Sequence, residues 1–468
     1  MGLAPDGGLF VPEVIPAVTM EDLAALCKKD YRGRAVDIMG RFLEEFSTEE
    51  LTDFVQHAYA DNYDDAAIAP LRFTDDGTAY LELWHGPTCA FKDMALQMLP
   101  YLLTASLKKT GEQREVCILV ATSGDTGKAA LEGFADVPGT RIFVFYPDGG
   151  VSRIQRLQMV TQSGANVGVC AVKGNFDDAQ TGVKRIFGDR EFAEELSRRG
   201  YFLSSANSIN WGRLLPQVVY YFSAYCDYVA SGKIALGDKI NFCVPTGNFG
   251  NILAGWFAKQ MGLPVNRFLC ASNANNVLTD FITTGVYDRN RPFHLTISPS
   301  MDILVSSNLE RLLYMLCGDS ATAAYMQQLN TEGRYDVGAE TLARIRGDFS
   351  AACCDDAQTK AKIASVWARD GYLIDTHTAV AAAALEAYRA ESGDGTPTVI
   401  VSTASPFKFA SDVLAALGET AEDPLTALSA RCDLQIPAPL SGLDQREVRF
   451  EGVVEKTAMP ATVNEFLK

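Results

Sequence analysis

The sequence predicts an α/β protein: two lobes, each built on a parallel sheet, with a cleft between them and a small helical lobe at the N-terminus. Three observations predict it. Apolar runs of strand length alternate with helix-length spans through residues 115–208, and again from residue 210 to the run at 398–403. Strands separated by helices are joined by crossovers, and crossovers make parallel sheets covered on both faces. The chain has 468 residues, 47% of them hydrophobic and 21% charged. That is enough for two or three domains with their own cores, and no fixed-period repeat or low-complexity linker interrupts them.

In chain order, residues 1–75 begin with a turn-rich lead-in, Gly2 to Pro12, and continue with helical patterns near 20–29, 35–46 and 49–60. Ser47 followed by Glu50 has the spacing of a capping box. Residues 79–84 read as a strand and 85–88 as a turn. A long apolar helix is then expected from 91–93, with Pro100 as a kink or a restart. The runs at 116–121, 141–146, 165–172 and 201–205 are strands separated by helix-like spans. Beyond residue 210 come a helix over 214–230, a strand at 239–245, a strand at 267–271, a helix over 378–389 and a strand at 398–403. Residues 310–370 are helix-rich and have no clear place. The expected boundaries are 1–75 for the helical lobe, 76–92 with 210–468 for the larger α/β domain, and 93–209 for the smaller one.

Charge and cysteine content narrow the function. The net charge is −17 and no Lys/Arg-rich block occurs, so neither nucleic-acid nor anionic-membrane binding is expected. Eleven cysteines are scattered through apolar runs without a CxxC pair, which fits free thiols in a reducing cytoplasm rather than disulfides or a metal site. No run of eighteen or more apolar residues is present, and Met1–Asp6 does not read as a signal peptide.

Four stretches carry chemistry. Thr246-Gly247-Asn248-Phe249-Gly250-Asn251 joins a strand to a helix through two glycines. Close backbone approach, converging N–H groups and the helix dipole make such a turn an anion site. Lys92 stands at a helix start among apolar neighbours, where desolvation and positive potential favour a neutral, nucleophilic amine. Thr122 to Lys128 is a hydroxyl-rich strand-to-helix turn suited to a carboxylate or phosphate. It lacks the first glycine and the final Ser/Thr of a nucleotide P-loop, which leaves a nucleotidase unsupported. Ser402 to Phe409 ends another strand at the edge where α/β sheets hold ligands. Asn207 to Arg213 precedes a helix, with Arg213 available to clamp a phosphate. Taken singly, each of these could be an ordinary cap or turn. His57 and His294 have no partner pattern, and His377 reads as part of a helix cap.

Together, HGPTCAFKD (85–93), ATSGDTG (121–127), PTGNFGN (245–251), TASPFKF (403–409) and the opening GLAPDGGLFVPE resemble threonine synthases of the bacterial and fungal branch. The resemblance spans nearly the whole chain in order. It implies a fold-type II, tryptophan synthase β-like pyridoxal-phosphate enzyme that converts O-phospho-L-homoserine and water to L-threonine and phosphate. Lys92 would hold the pyridoxal 5'-phosphate, and Gly247, Asn248, Phe249, Gly250 and Asn251 would cradle its phosphate. Thr403 would face the pyridine nitrogen. Ser123, Gly124, Asp125 and Thr126 would hold the substrate carboxylate and ring hydroxyl, and Asn210 and Arg213 the substrate phosphate. A monomer or weak homo-oligomer in the cytoplasm is expected, without a metal. Members of the branch usually carry a further Ser-Thr-Arg-Gly-like lead-in; its absence before Met1-Gly2 bears on N-terminal packing more than on chemistry. No plant-type regulatory extension is seen, so no S-adenosylmethionine control is expected. The rival activities are a serine/threonine dehydratase, a β-replacing synthase, and, from another class, a non-catalytic binder of an amino-acid phosphate ester.

Overall fold

A computed structural model describes residue 4 and residues 6–468 of the chain. Met1 to Leu3 and Pro5, part of the expected turn-rich opening, lie outside the described residues. Thirteen strands are described: β1 (Leu71–Phe73), β2 (Ala79–Glu82), β3 (Glu115–Ala121), β4 (Thr140–Pro147), β5 (Val167–Val172), β6 (Tyr201–Ser205), β7 (Ile240–Pro245), β8 (Val265–Ser272), β9 (Val286–Asp288), β10 (Arg334–Asp336), β11 (Phe349–Cys353), β12 (Thr398–Ser402) and β13 (Val453–Val454).

They form two large sheets and a hairpin. The six-stranded sheet runs β1-β2-β12-β7-β8-β11 and is parallel except for β1. The five-stranded sheet runs β13-β5-β4-β3-β6 and is parallel throughout. β9 and β10 pair antiparallel on their own. The central strands β3, β7 and β12 are buried almost along their whole length, as strands covered by helices on both faces must be. The α/β class and the two parallel lobes expected from the sequence are therefore present.

The helices follow local chemistry. Ser47 and Glu50 form the expected capping box of Thr48–Ala58. Of the two options for Pro100, kink or restart, the structure shows the restart: helices Asp93–Leu96 and Leu99–Thr110, with Pro100 in the first turn of the second. Pro100 has no N–H to give to Leu96, so the ladder stops and restarts there. Helices Leu309–Thr331, Gly338–Asp348 and Asp356–Asp370 occupy the helix-rich span, and β11 inside it becomes the edge of the larger sheet.

The expected boundaries fail at two points. β1 lies within 1–75 but pairs with β2 in the larger sheet. At the other end, β13 adds in parallel to β5, and the helix Met459–Phe466 packs beneath the smaller sheet with Phe143, Val183 and Leu196. The C-terminal segment thus covers the smaller sheet's edge and apolar face.

Candidate active site

Two sets of strand ends meet around one cleft. The larger sheet supplies the segment after β2 (Phe91, Lys92), the loop after β7 (Thr246 to Asn251) and the end of β12 (Thr403, Ala404). The smaller sheet supplies Asp125 and Thr126 after β3, and Asn207 and Ser208 after β6. Ligands of parallel sheets gather at these carboxyl ends, because loops and helix N-termini converge there.

The loop Thr246 to Asn251 is turned by Phe249, whose φ of 61° is uncommon for a side chain of that bulk. Its carbonyls are held elsewhere: Gly247 O accepts from Ser306 Oγ at 2.8 Å, and Asn248 O from Asn308 N at 3.0 Å. No side chain caps the helix Gly250–Met261, so its first N–H groups remain for an anion. A Cβ on Gly247 would come within 2.7 Å of Ser300 O, whereas one on Gly250 would meet nothing nearer than Asn308 Nδ2 at 3.4 Å. Close approach therefore requires glycine at 247. At Gly250 no protein atom crowds a Cβ in this way.

Two buried donors face this loop without a partner among the described residues: Arg213 Nε and Asn251 Nδ2. Burial lowers the Arg213 pKa to about 10. A buried guanidinium with a free N–H calls for an anion.

Lys92 precedes the helix Asp93–Leu96 and is 9% exposed. Desolvation pushes its pKa down; Asp125 opposes this, while Lys408 and Arg213 add to it. The nearest carboxylate oxygen, Asp125 Oδ2, lies 3.5 Å from Nζ. Burial disfavours a charge on Asp125, but Lys408 first and Lys92 second hold it ionised, well below the usual carboxylate range.

Thr403 lines the cleft, and its hydroxyl makes no hydrogen bond among the described residues; its carbonyl accepts from Phe91 N at 2.8 Å. The cap of the short helix Pro406–Phe409 is Ser405, so Thr403 is not consumed in capping.

Ser123 and Gly124 do not line the cleft; Gly124 (φ 130°) turns beneath Gln155, where a Cβ would overlap the side-chain amide. Asn210 is also outside, with both polar atoms used: Oδ1 accepts from Gly212 N at 3.0 Å and Nδ2 donates to Ser205 O at 3.1 Å. Asp125 is in the cleft; as an anion between two lysines it is ill suited to a substrate carboxylate, which does not bear on the ring hydroxyl also expected of this stretch.

The sequence reading passed over Ser300, His377 and Lys408. Ser300 Oγ lies 3.5 Å from Lys92 Nζ, and Ser300 N donates to His377 Nε2 at 3.2 Å. His377 Nδ1 is bound to Asp375 Oδ2 at 2.8 Å, which fixes the ring. Asp375 also caps Thr376–Ser392, so the cap expected at this helix start is real and leaves the histidine free to reach the cleft. The Asp-x-His spacing and a lysine between two phenylalanines were the available signals.

Residues 79–404 match the family model described as pyridoxal-phosphate dependent enzyme; residues 1–59 match threonine synthase N terminus, and 378–466 match threonine synthase, C-terminal. The chain is 40% identical over 453 residues to threonine synthase of Pseudomonas aeruginosa, covering 96% of this chain and 90% of that one. It is 41% identical over 429 residues to human threonine synthase-like 1, covering 89% of this chain and only 57% of that longer protein. The chain thus spans less than two thirds of the length of that relative. Among solved structures, PLP-bound threonine synthase from Brucella melitensis superposes with a TM-score of 0.87 at 39% identity, covering 100% of this chain and 95% of that one.

Proposed function

We infer the function from one premise: this chain belongs to the threonine synthase family of pyridoxal-phosphate-dependent enzymes. Its proposed activity is conversion of O-phospho-L-homoserine and water to L-threonine and phosphate. The observation that carries the reading is a desolvated Lys92 amine in the same cleft as an uncapped helix start and an unpaired Arg213 donor.

The residues present fit pyridoxal 5'-phosphate. A glycine that no side chain can replace without meeting Ser300 O, together with the orphaned Asn251 Nδ2, suits a bound phosphate. Lys92 would hold the aldehyde carbon, Gly247 to Asn251 the phosphate, and Thr403 the ring nitrogen. When bound, the group supplies an electron sink that acidifies the substrate carbons next to the amine.

The chain's own groups do the rest. The Lys92 Nζ, freed when the substrate amine takes its place, is the base that accepts the Cα proton. Arg213 holds the phosphate ester and stabilises the charge that accumulates as phosphate leaves Cγ. In the net change the Cγ–O bond to phosphate breaks, Cβ gives up a proton and gains the water oxygen, and Cγ becomes a methyl group. A neutral Thr403 hydroxyl, rather than a carboxylate, would not enforce a protonated ring nitrogen and would restrain side reactions. Ser300, held by His377, stands close enough to pass protons to or from Lys92.

The reading is tested by incubating the purified, cofactor-loaded protein with O-phospho-L-homoserine and with L-serine or L-threonine. Phosphate and threonine from the first, with no keto acid from the others, supports it. Keto acid without phosphate release favours a dehydratase, and an absorbance change without any product favours a binder. Lys92→Ala is expected to lose at least about a thousandfold in turnover while keeping its fold by circular dichroism.

We further propose a cytoplasmic protein acting as a monomer or weak homo-oligomer. All eleven cysteines are free and most of them are buried, which supports the first point. No helix among the described residues is long and apolar enough to cross a membrane. Sedimentation across a concentration series tests the assembly.

A further inference from the structure

Asp125 is shared unequally. Its Oδ1 takes Lys408 Nζ at 2.8 Å and Gln155 Nε2 at 3.0 Å. Its Oδ2 faces Lys92 Nζ at 3.5 Å and Ser300 Oγ at 3.4 Å. Lys408 is almost wholly buried and also donates to Thr88 O at 2.9 Å, so its ammonium is fixed on both sides. We propose that Lys408 is a positioning residue for Lys92: by holding Asp125 in a buried ion pair of its own, it leaves the Lys92 amine neutral and able to attack the cofactor aldehyde. The proposal rests on the pyridoxal-phosphate reading above.

Lys92, Asp125, Arg213 and Lys408 are all buried, so the count of charges among them governs the amine. The charged and titratable groups facing Lys92 are Asp125, Lys408, Arg213 and His377, the last already bound to Asp375. Asp93, next in the chain, turns its carboxylate onto Thr88 N (2.8 Å) and Thr88 Oγ1 (2.7 Å) instead. With Lys408 and Arg213 both cationic, Asp125 is the one nearby anion, and its stronger oxygen contacts are already taken. A proton on Lys92 would put three cations around one carboxylate among buried side chains, where water screens them weakly. The neutral form is the less costly one. That form matters because the Nζ lone pair attacks the aldehyde carbon, the carbonyl oxygen departs as water and a C=N bond remains; protonated Nζ has no lone pair to give.

The sign is opposite for the two partners. Without Lys408, Asp125 is free to pair with Lys92 alone, and Lys92 keeps its proton to higher pH. Without the Asp125 charge, Lys92 loses it at lower pH.

The experiment takes the full chain freed of cofactor and mixes it with pyridoxal 5'-phosphate across about pH 6 to 10. Capture is trapped with borohydride and counted at the Lys92 peptide by mass. Lys408→Met is expected to move the midpoint of capture up by about one pH unit, about tenfold slower capture below it. Lys408→Arg keeps the charge and the midpoint, whereas Asp125→Asn moves the midpoint down. A merely structural Lys408 would lower capture by one factor at every pH and leave the midpoint in place, which overturns the proposal. Should Lys408→Met fail to fold, Lys408→Gln is read in its place, since it removes the charge but keeps a polar group for Thr88 O and Asp125. The midpoint is expected to rise there too, and an unmoved midpoint again overturns the proposal. Normal titration in a wild type that releases no phosphate from O-phospho-L-homoserine would sink the proposed activity and leave the role of Lys408 standing.

Discussion

Thr403 and His85 belong to two of the quoted motifs, and their surroundings give them opposite uses. The Thr403 hydroxyl is free in the cleft because Ser405 does the capping. Thr403→Asp, with a carboxylate at the ring nitrogen, is expected to raise the share of 2-oxobutyrate per threonine formed; an unchanged ratio in a folded, cofactor-loaded variant removes Thr403 from the site. His85 is outside the cleft, held between Asp64 and Glu82, the latter at 2.9 Å. Burial works against its charge, but these two carboxylates outweigh it and push its pKa from 6.5 up to about 9. A raised folded-state pKa contributes stability that is fully present below the unfolded value of 6.5 and is lost as pH rises through about 9. We expect a loss of about 2 kcal/mol over that window, reduced from the full shift because Asp64 is half-exposed. Urea melts at the two ends should show it, and His85→Gln should flatten the difference.

At the scale of elements, the turn between β7 and the helix Gly250–Met261 shows how far local chemistry reaches. Two glycines between a strand and a helix announce an anion loop in the sequence. Which of them is indispensable depends on Ser300, which approaches from fifty residues away in the chain. Gly247→Ala is expected to weaken retention of pyridoxal 5'-phosphate by about tenfold or more, and Gly250→Ala by much less, read as dissociation constants from fluorescence. Equal losses would mean that the loop adapts and the close approach to Ser300 is unimportant. The turn after β3 follows the same logic. Thr122 Oγ1 accepts from Gly124 N and Gly127 N, both at 2.9 Å, so one hydroxyl of this hydroxyl-rich turn is spent on holding it.

Over the whole molecule, the C-terminal segment joins the ends of the chain to the smaller sheet. Met459 and Val463 are fully buried among residues of that sheet and its helices, and Phe466 lies 5.0 Å from Phe143, ring centre to ring centre. Met459→Ala is expected to cost about 2–4 kcal/mol in denaturant melts through the cavity it leaves. Removing residues 446–468 would bare both the edge of β5 and this apolar face, so the truncated chain should aggregate. A soluble truncation with an unchanged melting temperature would show that the segment only rests on the sheet.

By itself the sequence determined the alternation of strands and helices, the two parallel lobes and the strand ends at which chemistry gathers. Those features follow from periodicity and turn residues that act over about ten positions, and each can be read without knowing what packs against it. Only the tertiary structure decided that β11 and β13 close two sheet edges, that Asn210 is spent on capping, and that Asp125 answers to Lys408 as well as Lys92. These pairings join segments far apart in the chain. The energy that selects them comes from burial, which strips water from a charge or an open sheet edge and leaves only a distant residue to satisfy it.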